Sequence, residues 1–120
     1  MPSLQLTTNV KIHDAKAFAI EFSKLGADTL KKPETYITVS ITYNETLTFA
    51  GTFDPAFTLS IVSLDNLNPS ANEVYSKVFF DFFEEKLGVK NSRGYIVFTD
   101  PGREYLGHQA TTFGTIFGKK

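Results

Sequence analysis

Hydrophobic and polar residues alternate singly from Ser3 to Thr7, with Leu4 and Leu6 on one side and Ser3, Gln5 and Thr7 on the other. A period of two marks a half-buried strand, and Asn9 interrupts it. The period then lengthens. From Asp14 onward Ala15, Phe18, Ala19, Phe22, Leu25 and Gly26 recur at helical spacing, while Lys16, Glu21, Lys24 and Asp28 fall mostly elsewhere. This spacing predicts an amphipathic helix of about four turns, capped by Asp14. It should end around Leu30 to Lys32, because Pro33 disfavours helical geometry in the residue before it. Alternation returns in Tyr36 to Thr42, where Ile37, Val39 and Ile41 share one face.

The order then repeats. Asn44 and Glu45 form a turn signal, Leu47 to Ala50 a short edge segment, and Gly51 with Asp54 and Pro55 stops it. Phe57, Leu59 and Ile61 alternate with Thr58 and Ser60 in a third strand running towards Leu64. Asn68 followed by Pro69 starts a second helix, with Ser70 and Glu73 offering a competing capping box. Its stripe is Ala71, Val74, Tyr75, Val78, Phe79, Phe82, Phe83 and Leu87, and Gly88 sits where a left-handed cap belongs. Gly94 to Phe98 makes a fourth strand, and Asp100, Pro101 and Gly102 a turn. The Gly- and Thr-rich tail from Leu106 carries isolated Phe113, Ile116 and Phe117, consistent with edge strands or a flap, and ends in a solvated Lys119 and Lys120.

Two strand, helix, strand units over residues 3–43 and 56–98 predict an α/β fold, in which two βαβ repeats share a four-stranded mixed sheet with both helices on one face. The chain reads as one domain, 1–120, with repeats at about 2–50 and 51–105 and a tail at 106–120. The opposite face of such a sheet needs a cover, and for a chain this short a second copy of the same sheet is the economical one, so a symmetric oligomer is expected.

Composition narrows the chemistry. Twelve basic residues against 13 acidic ones, for a net charge of −1, offer no bulk attraction to nucleic acid or an anionic membrane. The absence of cysteine removes disulfides, thiolate metal sites and cysteine nucleophiles. No apolar stretch approaches the ~20 residues that span a bilayer, and a soluble, cytoplasmic protein is expected. His13 and His108, on different elements and without a carboxylate cluster, make a poor metal site. Phe79, Phe80, Phe82 and Phe83 look like a cofactor box only superficially, because three of them extend the helical core stripe. No metal and no cofactor are expected.

Pro2 is the chemical candidate. Removal of Met1 would leave a terminal secondary amine, a group that titrates near ~7.7–8.0 and that burial or a neighbouring cation converts into a neutral base. The plainer reading is that Pro2 only begins a strand. In a βαβ unit both strands start at one edge, so Pro2 and Lys32, just before the second strand, should be neighbours. Lysine beside an amino terminus depresses the amine by like-charge repulsion, although a lysine at a helix end is also a common dipole partner in water.

Several stretches carry a family resemblance: Met1 Pro2 with Thr8 Asn9 Val10; Lys32 Pro33 with Tyr36 Ile37; Phe49 Ala50 Gly51 Thr52 with Asp54 Pro55; Tyr75 Ser76 Lys77; and Arg93, Tyr95 Ile96, Asp100, Gly107 and Thr112 Phe113. In this order and spacing the chain resembles the macrophage migration inhibitory factor and D-dopachrome tautomerase family of the tautomerase superfamily. The resemblance covers nearly the whole chain. It implies a homotrimer with active sites between subunits, and a cofactor-independent keto-enol tautomerase of the phenylpyruvate or dopachrome type acting on aromatic 2-keto acids. Pro2 would be the base and Lys32 the anion-binding cation. Leu64, with Ser63 adjacent, would offer a backbone N–H; Tyr95 and Val97 would come from the neighbouring chain; Tyr36, Leu106, His108 and Phe113 would line the mouth. Secretion without a signal peptide, as in family members, is left open by this likeness.

Three departures from the family bear on function. Val97 stands where well-known members carry a hydrogen-bonding Asn, and His108 where many carry Trp. Ala56 Phe57 Thr58 Leu59 replaces a Cys-x-x-Cys found in some, which excludes thiol oxidoreductase chemistry. While Met1 remains attached, Pro2 nitrogen is an amide without a basic lone pair. Two other readings therefore stand beside the enzyme: a cytokine-like signalling or interaction protein of the same fold, with an unidentified protein partner, and a plain ferredoxin-like binding domain.

Overall fold

A computed structural model describes residues 1–118, so the Lys119 and Lys120 tail expected from the sequence lies outside the described residues. Strand β1 (Ser3–Thr8) leads into helix α1 (Ala15–Leu30), a 3-10 turn at Glu34–Tyr36 and strand β2 (Thr38–Tyr43). The second unit runs through β3 (Phe57–Val62), α2 (Pro69–Leu87) and β4 (Gly94–Thr99). A 3-10 turn at Arg103–Tyr105, the two-residue strands β5 (Gly107–His108) and β6 (Thr111–Thr112), and a short helix α3 (Phe113–Ile116) complete the described chain.

The sheet order is β2-β1-β3-β4, with β1 parallel to β2, β3 parallel to β4, and β1 antiparallel to β3. The mixed sheet of two βαβ repeats expected above is therefore present. Leu4 pairs with Val39 and Ile61, and Leu6 with Ile41 and Leu59, so one face is apolar across the strands. Phe18, Phe22 and Leu30 of α1 and Tyr75, Phe79, Phe82 and Phe83 of α2 pack with it in one buried cluster. Phe22 sits at its centre, with ring centroids 5.9, 5.8 and 5.4 Å from Phe79, Phe82 and Phe83. Gly94 is required by close approach, because a Cβ there would overlap the buried Phe57 ring.

The helix ends follow local chemistry. Asp14 Oδ1 accepts from the Ala17 N–H at 3.0 Å, and Asn68 Oδ1 accepts from Ala71 N–H at 2.9 Å. Asn68 thus prevails over the competing box, and the Ser70 hydroxyl donates to Asn68 Oδ1 instead. Gly88 takes the left-handed cap at φ 69°, while α1 ends with Lys31 in the same region at φ 55°.

Three expectations need correction. Val74, assigned to the core stripe of the second helix, is 60% exposed, because that stripe is centred on Tyr75, Phe79, Phe82 and Phe83 and Val74 sits about 100° round the helix from Tyr75. Tyr36 belongs to the 3-10 turn that follows Pro33 rather than to the second strand. Leu47 to Ala50 forms no strand; a tight turn through Ala50 and Gly51, both at positive φ, closes a single bridge between Phe49 and Thr52.

Candidate active site

Parallel pairing brings the starts of β1 and β2 together, and the Thr38 N–H donates to the Pro2 carbonyl at 3.0 Å. Pro2 is buried and Met1 half-buried. Beside them opens a cavity of about 200 Å³, lined by Met1, Pro2, Ser3, Tyr36, Leu106, His108 and Phe113 among others. Its outer wall is aromatic. The His108 ring stacks on Phe113 with centroids 5.4 Å apart and planes 9° from parallel, and Tyr36 meets His108 edge-on at 6.4 Å. The β5-β6 hairpin holds this wall in place: Gly107 pairs with Thr112, and Phe113 N–H donates to the Leu106 carbonyl at 3.1 Å.

Electrostatics single out the chain terminus. Burial first, and the Lys32 ammonium second, lower the Met1 amine from its ordinary value of 8.0 to about 6, against an opposing pull from the Asp65 carboxylate. Lys32 comes within range because α1 ends one residue earlier at a left-handed Lys31, and its own N–H donates to the Ala27 carbonyl at 3.1 Å.

The loop after β3 packs behind the site and does not line the cavity. Ser63 and Leu64 are both buried, so any part Leu64 plays at the pocket falls to its backbone. The Ser63 hydroxyl donates to Asn66 Oδ1 at 2.6 Å, and Asn66 Nδ2 donates to the Leu30 carbonyl at 3.0 Å, tying this loop to the helix end beside Lys32. Tyr75 locks the same residue through a 2.8 Å bond to the Asn66 carbonyl.

Among the expected site residues, Pro2, Tyr36, Leu106, His108 and Phe113 meet at one cavity. Lys32 is not among the residues lining it and reaches the Met1 amine through charge, and Ser63 and Leu64 lie in the buried loop outside the lining. Tyr95 and Val97 do not join them. Both stand exposed on the outer face of β4, where Tyr95 tilts against Phe49 with centroids 5.2 Å apart. Asp65 and Asn66 went unnoticed in the sequence, where they look like an ordinary polar loop. The one available signal was two turn-forming residues straight after a strand.

Comparison with known proteins bears on the fold and the family. The family model for macrophage migration inhibitory factor (MIF) matches residues 1–114. The chain belongs to the macrophage migration inhibitory factor family. It is 34% identical over 114 residues to the MIF homolog of Trichinella spiralis, covering 94% of this chain and 100% of that protein. The MIF homolog of Trichuris trichiura is 33% identical over 114 residues, with the same coverage. The solved MIF structure from Trichinella spiralis superposes with a TM-score of 0.87 at 33% identity, over 92% of this chain and 99% of that one. The MIF homologue from Prochlorococcus marinus gives 0.87 at 28% identity, over 93% and 99%. The tautomerase superfamily, to which the MIF family belongs, is thereby the setting for the cavity at Pro2. Among the described residues no helix is long and apolar enough to cross a membrane.

Proposed function

We propose that this chain is a cofactor-independent keto-enol tautomerase for aromatic 2-keto acids, with Pro2 as general base once Met1 is removed. The observation that carries this reading is the placement of buried Pro2 in the lining of a cavity walled by Tyr36, His108 and Phe113. The lowering of the adjoining Met1 amine to about 6 supports it by showing what burial and Lys32 do to an amine at this end of the chain. A neutral amine takes the proton from the carbon next to the keto group, the C–H pair becomes the enol double bond, and the oxygen receives a proton. Lys32 holds the carboxylate or the developing enolate oxygen, where a fixed cation contributes most because the charge appears in the transition state. The Leu64 backbone N–H serves the same anion. Tyr36, Leu106, His108 and Phe113 hold the aromatic ring, and in a homotrimer Tyr95 and Val97 of a neighbouring copy complete each mouth. Their exposure on the outer sheet face is consistent with that use.

The test is enol-keto conversion of phenylpyruvate by protein whose mass shows Met1 removed. Pro2→Ala should lower kcat roughly 10²- to 10⁴-fold, the usual worth of a positioned base. Activity untouched by that substitution would remove Pro2 from the mechanism. A second reading is favoured by Val97, which puts an apolar side chain where relatives hydrogen-bond substrate: an interaction protein that keeps the fold with weak or no turnover. No turnover across a broad panel of keto acids, together with a partner whose binding survives Pro2→Ala, would favour it.

A further inference from the structure

Arg103, in the 3-10 turn after β4, has no role in the reading above, yet it joins the loop after β3 to the C-terminal turn that backs the pocket's aromatic wall. Its Nε donates to Asp65 Oδ2 at 2.8 Å. Its Nη1 donates to the carbonyls of Phe117 at 3.1 Å and Gly118 at 2.9 Å, and its guanidinium carbon lies 5.8 Å from the centre of the Phe117 ring. Both partners of the ion pair are only 21% exposed, and one planar fork serves three acceptors, a geometry that the single ammonium of lysine does not reproduce.

Each segment leads to the site. Asp65 follows Leu64 directly and adopts φ 68°. Its N–H donates to Asp100 Oδ2 at 3.0 Å, and Asp100 Oδ1 accepts from Gly102 N–H at 2.9 Å, so the turn at 100–103 grips residue 65 through both main chain and side chain. On the other side, Phe117 stacks on Phe113 at 5.1 Å, and its N–H donates to the Phe113 carbonyl at 2.8 Å. Phe113 lines the cavity and stacks on His108. Contacts thus run from Asp65 through Arg103 and Phe117 to the aromatic wall.

We propose that Arg103 is a positioning residue of this site: it fixes the C-terminal turn that seats Phe113, and it offsets the charge that Asp65 projects onto the N-terminal base. The proposal rests on the reading of the terminal amine as that base. The charged and titratable groups around the amine are Lys32 from the end of α1, Tyr36 from the first 3-10 turn, His108 from β5 and Asp65 from the loop after β3. Asp65 favours the protonated form of the Met1 amine, opposite to Lys32, and by the proposal it acts likewise on the Pro2 amine one residue further on. Taking a positive charge away from Asp65 strengthens that pull, and neutralising Asp65 removes it.

The experiment titrates the Pro2 amine by NMR in Met1-trimmed protein and measures kcat and KM for phenylpyruvate, with thermal melts to verify folding. Arg103→Gln should raise the amine's pKa by on the order of 0.5, whereas Asp65→Asn should lower it, and Asn accepts the positive φ at that position. Arg103→Lys keeps the charge but not the fork, so the amine should stay near its wild-type value. With either Arg103 variant KM should rise roughly three- to tenfold with a smaller change in kcat, because the wall is displaced and the base is not. An amine unmoved in both Arg103→Gln and Asp65→Asn, or moved the same way by both, would overturn the proposal, as would an unchanged KM in both Arg103 variants. If trimmed wild type turns over no keto acid, the tautomerase reading falls, while the opposite shifts in the amine still decide the role of Arg103.

Discussion

At the scale of the residue, the proposed chemistry rests on how one amine is kept neutral. Burial and Lys32 lower the Met1 amine, and Asp65 opposes them. In trimmed protein the base of the proposed function would be the Pro2 amine, one residue further along at a position that is buried here, and the same causes are expected to act on it. Because the neutral form is the base, activity should fall as pH drops through the amine's pKa and level off above it. The midpoint should lie below the ordinary α-amino range of ~7.7–8.0. Lys32→Ala removes one of the two lowering causes, so the acid limb should move to higher pH while kcat/KM drops roughly 10²- to 10³-fold. A pH-rate profile checks both, and a limb that stays in place would detach Lys32 from the amine. Pro2 and Lys32 could be paired from topology before any geometry was available, since parallel strands start at one edge. Arg103 could not, because its partners lie 38 residues before it and 14 and 15 residues after it, and nothing local in a Pro-Gly-Arg turn announces them.

At the scale of the element, Asn9 organises the irregular stretch between β2 and β3. Its Nδ2 shares two hydrogens among the carbonyls of Leu47 at 3.1 Å, Phe53 at 3.1 Å and Asp54 at 3.0 Å, while Oδ1 accepts from Ala56 N–H at 2.9 Å. Thr8 hydroxyl adds a 2.8 Å bond to the Ala56 carbonyl. Asn9→Ala should therefore cost about 2 kcal/mol, read as a lower urea midpoint at unchanged m-value. A loss below about 0.5 kcal/mol would mean that water replaces the amide at no cost. In the sequence Asn9 appears only as the residue that breaks the first alternation. The two long helices and four main strands were legible because each repeats its period over at least six residues. The β5-β6 hairpin was legible only as edge strands or a flap somewhere in the tail, since strands of two residues carry no period to place them.

At the scale of the whole molecule, the outer sheet face differs from the apolar surface that would by itself demand a cover. Across it run Ser40, Gln5, Ser60 and Val97 in register, with Thr38, Thr42 and Thr58 nearby and exposed. Apolar exposure concentrates at the β4 edge, in Tyr95 at 66% and Val97 at 58%. The proposed homotrimer would then associate mainly through that edge and enclose a wet, hydroxyl-lined interior. Light scattering should give three times the monomer mass. Tyr95→Asp should shift it towards monomer and cost activity together, since in the proposed trimer each mouth would borrow that edge.

The 3.0 Å bond from Thr38 to the Pro2 carbonyl has a consequence for timing. Once β2 docks, the peptide bond joining half-buried Met1 to buried Pro2 is drawn against the sheet. The trimming that the proposed function requires would then have to precede that docking, and the nascent chain gives it time because β2 is synthesised more than thirty residues after the terminus. Protein folded with Met1 in place should resist methionine aminopeptidase until it is unfolded in urea and refolded with the enzyme present, with intact mass as the readout. Rapid cleavage of the folded form would show that the terminus breathes open.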